Sequence, residues 1–266
     1  MPKLGNNAYT VAFATAICVV CALLVAGAAV GLADRQAVNA EVDRQRNVLL
    51  ATGDLRADES LSPAQIAERF AAFQPVAVDL ATGRPDPTFT VAGYDQRRAL
   101  ADPSMSHAVP PNPAQVTRVP NHVIAYERLD ETGERDLLVL PIEGKGLWST
   151  MYGFLALGPD LKTVRGLTFY QHGETPGLGG EISNPRWQAA WNGRQLFDED
   201  GDVAIAVIRG RAGPADEEPH RVDGLSGATI TARGVEATVK FWLGEQGFGP
   251  YLESLRKEGS DVDEGA

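Results

Sequence analysis

The segment Asp136–Leu157, which reads DLLVLPIEGKGLWSTMYGFLAL, decides the fold class of this chain. Two apolar runs within it, Asp136–Ile142 and Trp148–Leu157, contain β-branched or aromatic residues and flank the turn signal Gly144-Lys145-Gly146. Apolar runs of this kind on either side of a glycine-containing turn are typical of paired strands. We therefore predict two neighbouring antiparallel strands here.

Further strand-like segments flank this pair. Thr117–Glu127 precedes it, with the turn signal Glu131-Thr132-Gly133 between them, and Thr163–Tyr170 follows it. The remaining elements predicted from composition and capping residues are helices at Ser62–Phe73, Pro185–Asn192 and Thr231–Gln246, and a strand at Val203–Ile208. Residues 83–114 are rich in Pro, Gly, Asp and Ser, which indicates a mostly irregular segment. The pattern predicts an α+β domain with a mainly antiparallel sheet and flanking helices.

The N-terminal segment is uncharged from Leu4 to Ala33. A helix over residues 8–33 would reach about 39 Å at about 1.5 Å per residue, against about 30 Å of hydrocarbon. This predicts one transmembrane helix, with a signal peptide cleaved after Ala26-Gly27-Ala28 as the alternative. We expect an anchor in residues 1–33, a helical linker region in residues 34–80 and the main domain in residues 81–266.

Composition excludes several classes of function. The chain has 266 residues, with 24 basic against 35 acidic side chains and a net charge of −11, which argues against a nucleic-acid partner. Both cysteines, Cys18 and Cys21, lie in the apolar N-terminal run, so residues 34–266 contain no thiol nucleophile or thiolate metal site. His172-x-Glu174 is too short a pair to predict a metal site. We nominate no catalytic residue.

Two glycine-rich segments are the candidate sites. Gln171–Gly180 (QHGETPGLGG) follows a predicted strand, and its glycines allow close backbone approach to a flat ligand or form a tight turn. Asp223–Thr231 (DGLSGATIT) opens the last helix, where backbone N–H groups favour an anion. From spacing alone, Ser226–Thr229 is interpreted as a turn followed by a helix N-cap, because Ser and Thr are common at such positions for structural reasons.

The segment Asp223–Thr229 resembles the flavinylation motif of the FMN-binding domain family. Together with the N-terminal anchor, the segment Gly146–Gly153 and the loop His172–Gly179, it makes the whole chain similar to the C-subunit family of bacterial sodium-translocating NADH:quinone reductases. The G subunits of Rnf electron-transport complexes share the anchor, the loop and the motif, and are the alternative family.

The resemblance implies a covalent FMN, whose phosphate is esterified to the hydroxyl of Thr229 by a separate flavin transferase. It implies that Gly227 and Ala228 leave room for the phosphate and that Asp223 belongs to the motif. The full set of cofactor-binding residues it implies is Thr229, Ser226, Gly227, Ala228 and Asp223 for the phosphate side, with Trp148, Glu174, Thr175 and Leu178 for the flavin ring. Burial in the core is the alternative for Trp148.

The same resemblance implies a membrane-anchored subunit that relays electrons within a sodium-translocating, quinone-reducing complex. Its partners would be the other subunits, the flavin transferase and the bacterial inner membrane, with the large domain in the periplasm. The charges beside the apolar run, Lys3 against Arg35, Arg44 and Arg46, weakly favour the opposite orientation. A hypothesis from another class is a non-catalytic membrane-anchored scaffold module.

Overall fold

The computed structural model describes the backbone of residues 7–263 and the side chains of residues 8–33 and 35–258. This part of the chain divides into two units, residues 7–45 and residues 46–263. Helix α1 (Asn7–Thr52) contributes to both. The other helices are α2 (Pro63–Phe70), α3 (Gln96–Ala101), α4 (Pro185–Ala189), α5 (Thr229–Leu243) and α6 (Gly249–Asp263), with a 3-10 helix at Gly179–Ser183.

The first unit consists of the N-terminal part of α1. Its segment Ala8–Ala33 has a mean hydropathy of 2.7, and none of its most apolar stretch is buried. By length and composition this segment is able to cross a membrane, in agreement with the predicted N-terminal apolar helix. The helix expected after it is a direct continuation of α1, since the segment contains neither proline nor glycine between Ala33 and Thr52.

The second unit is built on one antiparallel sheet. The strands are β1 (Phe73–Asp79), β2 (Arg84–Pro85), β3 (Ser106–Ala108), β4 (Arg118–Pro120), β5 (His122–Leu129), β6 (Arg135–Lys145), β7 (Thr150–Leu157), β8 (Val164–Gln171), β9 (Ala206–Val207) and β10 (Arg221–Val222). Within residues 46–263, six of them pair in the order β2-β1-β5-β6-β7-β8, and every pairing is antiparallel. The predicted α+β fold class is confirmed.

The strands predicted from Asp136–Leu157 form the centre of this sheet. Strands β6 and β7 pair from Leu138 opposite Leu157 to Lys145 opposite Thr150. Alternate residues of β6, among them Leu138, Leu140 and Ile142, are buried in the core cluster that includes residues of α5 and α6. The indole Nε1 of Trp242 in α5 donates to the carbonyl oxygen of Glu143 at 2.7 Å. This hydrogen bond holds helix α5 against the C-terminal end of β6, which leads into the candidate site.

The opposite face of the sheet is covered by the second unit's own N-terminal segments. The ring of Phe70 in α2 packs against Tyr126 in β5, which contacts Phe154 in β7. Helix α2 begins as predicted, because Ser62 and Gln65 form a reciprocal capping box ahead of Pro63. Apolar residues on both sides of the sheet make it the middle layer of the unit.

Several elements differ from the sequence-based expectation. Strand β1 lies within residues 34–80, which were expected to be helical, and pairs with β5. The single strand expected at Thr117–Glu127 is divided into β4, which pairs with β3, and β5, which pairs with β1. Asn121 lies between them, donating its N–H to the carbonyl of Met105 and accepting the N–H of Leu80 at its own carbonyl. Helix α5 begins at Thr229, two residues before the expected start. A further helix, α6, buries Tyr251, Leu252 and Leu255 after it.

Candidate functional site

Thr229 is the first residue of α5, and it is exposed. The residue before it, Ala228, is the N-cap and makes no side-chain hydrogen bond to the first turn. The N–H groups at the start of a helix have no partner within the helix, and the helix dipole favours an anion there. The Thr229 hydroxyl therefore lies at a helix end that lacks a side-chain cap.

A tight turn positions this helix end. The N–H of Ala228 donates to the carbonyl of Leu225 at 3.3 Å, which closes a turn with Gly227 at φ +70°. A Cβ added at Gly227 would lie 3.0 Å from Cδ2 of Leu178. Glycine is thus favoured at 227 by the left-handed backbone, and its lack of a side chain lets Leu178 approach closely. Ser226 and Gly227 are exposed on the outer side of the turn.

A second turn carries Leu178. The N–H groups of Leu178 and Gly180 both donate to the carbonyl of Thr175, at 3.1 and 2.9 Å. Pro176 and Gly177, which has φ +75°, occupy the two central positions that favour these residue types in a type II turn. Thr175 is exposed and Leu178 is 45% exposed, so the turn presents both residues at the surface.

Glu174 joins three segments behind this surface. Its carboxylate is 4% exposed and accepts hydrogen bonds from the Thr231 hydroxyl at 2.6 Å, from the Trp148 N–H at 2.9 Å and from the N–H groups of Leu147 and Ser149. Burial acts to raise the pKa of Glu174, but these hydrogen bonds outweigh it and lower the pKa below its usual value. The charged carboxylate therefore ties the β6–β7 connection to the first turn of α5.

This arrangement exposes apolar side chains beside Thr229. Trp148 is 70% exposed, so it is not a core residue. Leu147 is 48% exposed and Ile230 is 58% exposed. We call Leu147, Trp148, Leu178 and Ile230 the apolar rim. Ile230 was not among the residues predicted from the sequence, although the buried neighbours Thr231, Val235 and Thr238 would have indicated that position 230 faces outward.

Asp223 holds a neighbouring loop against the motif through a hydrogen bond. Its Oδ1 accepts the N–H of Ala212 at 2.8 Å, and its carbonyl accepts the indole N–H of Trp187 at 2.8 Å. One residue further on, the N–H of Gly224 donates to the carbonyl of Gly210 at 2.8 Å. The loop 209–212 is therefore held against the start of the motif, a contact for which sequence spacing gave no signal.

His172 has a structural role in the loop before Glu174. Its Nδ1 accepts the N–H of Glu174 at 3.2 Å, and its Nε2 lies 2.6 Å from the Ser183 hydroxyl. Partial burial lowers the pKa of His172, which favours the neutral ring that accepts at Nδ1. Among the residues described, no group of three or more His, Cys, Asp or Glu side chains is arranged to hold a metal ion.

A cleft of about 270 Å³ lies elsewhere in the second unit, between the end of α1, strand β8 and helix α4. Leu50, Gly166 and Gln188 are among the residues that line it, and none of the predicted flavin-binding residues does. The predicted site is thus a surface formed by two turns and a helix end rather than an enclosed cavity.

Comparison with known proteins defines first the class and then the family. Residues 146–244, which include Trp148, Glu174 and Thr229, match the model of the FMN-binding domain family. The chain is 46% identical over 247 residues to the C subunit of the Na(+)-translocating NADH-quinone reductase of Yersinia pestis, across 91% of this chain and 90% of that one. It is 42% identical over 261 residues to the corresponding protein of Pseudomonas aeruginosa, across 97% and 99% of the two chains. The chain therefore belongs to the family of C subunits of Na(+)-translocating NADH-quinone reductases.

Solved structures agree with this assignment. The crystal structure of NqrC from Shewanella oneidensis superposes with a TM-score of 0.72 at 35% identity, covering 80% of this chain and 96% of that one. The structure of the C subunit from Parabacteroides distasonis, at 22% identity and a TM-score of 0.63, shares the fold. Of the two families considered from the sequence, the chain therefore belongs to the reductase C subunits and not to the Rnf G subunits.

Proposed function

We propose that this chain is the flavoprotein subunit of a Na(+)-translocating NADH-quinone reductase and relays electrons through an FMN esterified to Thr229. One observation carries the proposal. The exposed Thr229 lies at the uncapped start of α5, two residues before Thr231, whose hydroxyl shares the Glu174 carboxylate with the N–H of the exposed Trp148. The FMN-binding domain match and the family membership support the same assignment.

The residues present fit an FMN. A phosphodiester on Thr229 would meet the N–H groups of the first helical turn, which favour its negative charge. Gly227 leaves space on the outer side of the turn, and Ala228 adds only a methyl group. The apolar rim offers flat and branched apolar surface for an aromatic ring, as ligand sites generally do. When bound, the FMN would supply the transfer of electrons at its ring, while the protein sets its position and surroundings.

Attachment would be a phosphoryl transfer. The Thr229 oxygen attacks the flavin-side phosphorus of a flavin dinucleotide, so that one O–P bond forms and the P–O bond to the adenylate breaks. The adenylate leaves with the electron pair, and the hydroxyl proton ends on the leaving phosphate. The neighbouring Thr231 is a poor substitute, because its hydroxyl is buried and already donates to Glu174.

We further propose that α1 anchors the chain in the inner membrane with residues 46–266 in the periplasm. The apolar segment Ala8–Ala33 supports the anchor, and the absence of cysteine after residue 21 suits an oxidising compartment. Maturation there would require the flavin transferase as a partner. Since the apolar segment has no charged residue, a path for sodium ions would run through other subunits.

The test is coexpression of the full chain with a flavin transferase, followed by denaturing gel electrophoresis and mass spectrometry. We expect ultraviolet fluorescence at the position of the chain and an added mass of one FMN less one water. Thr229→Ala abolishes both, whereas the matched variant Thr82→Ala, which removes an exposed threonine hydroxyl outside the site, retains them.

A wild-type chain that keeps its unmodified mass in the presence of an active transferase contradicts the covalent flavin. That result would favour the scaffold hypothesis instead. Retention of the added mass in Thr229→Ala contradicts the assignment of the attachment residue alone.

A further inference from the structure

Three exposed arginines lie on the segments that frame Thr229: Arg209 and Arg211 in the loop before β10, and Arg233 in α5. Within the part of the chain that the structure describes, none of the three makes a hydrogen bond or an ion pair. Other arginines of this acidic chain do have carboxylate partners. Arg128, for example, contacts both Asp54 and Asp136. The chain therefore carries an unpaired guanidinium group on the helix that begins at Thr229, and two more on the loop that is held against Asp223 and Gly224.

Arg233 lies four residues after Thr229 on the same helix. Side chains at this spacing are neighbours on a helix surface, and the order with the negative group first is the favourable one. The acid three residues further on, Glu236, is already occupied, because its carboxylate accepts from Lys240 at 2.8 Å and from the Val207 N–H at 2.9 Å. Arg233 is thus free to contact an anionic group on Thr229.

Arg209 and Arg211 are brought to the motif by backbone hydrogen bonds on either side of them. The N–H of Ile208 donates to the carbonyl of Val222 at 2.9 Å, and the N–H of Gly224 donates to the carbonyl of Gly210, which lies between the two arginines. The hydrogen bond from the Ala212 N–H to Asp223 closes the same loop. The carboxylate of Asp223 therefore positions this loop by accepting a hydrogen bond from the backbone of the loop.

We propose that Arg209, Arg211 and Arg233 form a phosphate-binding rim that receives the diphosphate of the flavin donor at Thr229. The inference rests on the proposed function and assigns residues of this chain to recognition of the donor. Guanidinium groups bind phosphoryl oxygens through paired N–H donors, and they remain charged at any physiological pH. After attachment the same groups lie next to the single negative charge of the phosphodiester.

The experiment measures the initial rate of flavin attachment to the full chain in detergent, with purified transferase and flavin adenine dinucleotide as donor. The variants are Arg233→Gln, the double variant Arg209→Gln/Arg211→Gln and the triple variant. Arg84→Gln, a charge change on the exposed strand β2, is the matched control. Flavin is counted by intact mass, and thermal melting is recorded for each unmodified variant.

We expect kcat to fall about threefold for Arg233→Gln and about tenfold or more for the triple variant, since exposed charge pairs contribute modestly and add up. KM for the chain stays unchanged, and Arg233→Lys recovers most of the rate. Raising the salt concentration slows the wild type more than the triple variant.

The proposed rim would be overturned if the arginine variants acquired flavin at the same rate as Arg84→Gln. It would also be overturned if the rate depended equally on salt in the wild type and in the triple variant. A higher KM at unchanged kcat would also overturn it, because the arginines would then dock the transferase protein. A wild type that acquires flavin while the variants match the control refutes this inference alone. A wild type that never acquires flavin refutes the proposed function as well.

Discussion

Two glutamates near the candidate site, Glu174 and the half-buried Glu143, show how the surroundings of a carboxyl group set its charge. Glu174 is held ionised, because the hydrogen bonds that it accepts outweigh the cost of its burial. Glu143 lies on the sheet next to Tyr152, and burial raises its pKa to about 7, while nearby Arg97 only partly offsets this. The carboxylate of Glu174 joins segments of the site, whereas that of Glu143 lowers the stability of the folded state whenever it is charged.

This difference predicts a pH-dependent effect of Glu143→Gln. Between the ordinary pKa of 4.5 and about 7, the folded state binds more protons at this group than the unfolded state, so stability falls as the pH rises through that window. The variant removes this loss. At pH 8 we expect it to be more stable than the wild type by up to about 3 kcal/mol, with little difference at pH 4.

Urea unfolding of the full chain at both pH values measures this effect. Glu134→Gln, at an exposed turn, is the control and should leave stability unchanged at either pH. A Glu143→Gln variant with the same pH profile as the wild type contradicts the burial of a titrating carboxyl group.

Local sequence predicts only part of the site at this scale. Gly227 and Thr229 follow from the motif, because a turn leading into a helix is a local structure. The flavin contact predicted for Glu174 stays a prediction, and the sequence offered no sign that its carboxylate accepts hydrogen bonds from the backbone of the β6–β7 connection. That contact, like the one between Asp223 and Ala212, depends on segments that are distant in sequence, and no local pattern encodes it.

At the scale of elements, the close approach of α5 to β6 holds the site together. A Cβ added at Gly234 would lie 2.4 Å from the carbonyl oxygen of Lys145, and one at Gly144 would lie 2.0 Å from the Thr238 hydroxyl. Small residues on both elements thus let the helix rest on the strand backbone. The position of Thr229 relative to Trp148 depends on this contact.

We therefore expect Gly234→Ala to destabilise the second unit by about 2 kcal/mol or more, because the helix must move away from the strand. The helix propensity of alanine offsets only about 1 kcal/mol of this. Thermal or urea unfolding measures the loss, and Ile230→Ala on the exposed side of the same helix should change stability little. A Gly234→Ala variant that is as stable as the wild type would contradict the close contact between α5 and β6.

The strands near the centre of the sheet were predictable because their apolar runs end at glycine-containing turns. Strand β1 was not predicted, because Pro75 and the polar residues Gln74 and Asp79 interrupt its apolar pattern. Its strand conformation comes from pairing with β5. Helix α6 was missed for a related reason: only a few of its residues are apolar, and it is stabilised by packing Tyr251, Leu252 and Leu255 into the core.

At the scale of the molecule, the last turns of α1 belong to the second unit. Val48 and Leu49 are fully buried and Ala51 is 1% exposed, although the same helix is exposed over residues 8–33. One continuous helix therefore supplies both a candidate anchor and part of a core. This explains why the expected boundary at residue 33 differs from the division after Gln45.

A pair of truncations tests this division. A fragment beginning at Arg46 keeps the buried turns and should fold as a monomer with a cooperative melt. A fragment beginning at Asp54 loses Val48, Leu49 and Ala51, and we expect a loss of about 3–6 kcal/mol from the burial of those side chains. Gel filtration and thermal melting distinguish the two fragments. Equal stability would contradict the conclusion that the last turns of α1 belong to the core of the second unit.

The exposure of Thr229 on a surface made by separate segments has a consequence for the order of maturation. The β6–β7 connection, the turn at Leu178 and the start of α5 meet only in the folded unit, through Glu174 and Gly227. On the proposed function, the flavin would be added after folding, to chains whose sheet and last helices are already assembled. The yellow colour of a preparation would then report the fraction of correctly folded chains, and a destabilised variant would lose pigment before it loses protein.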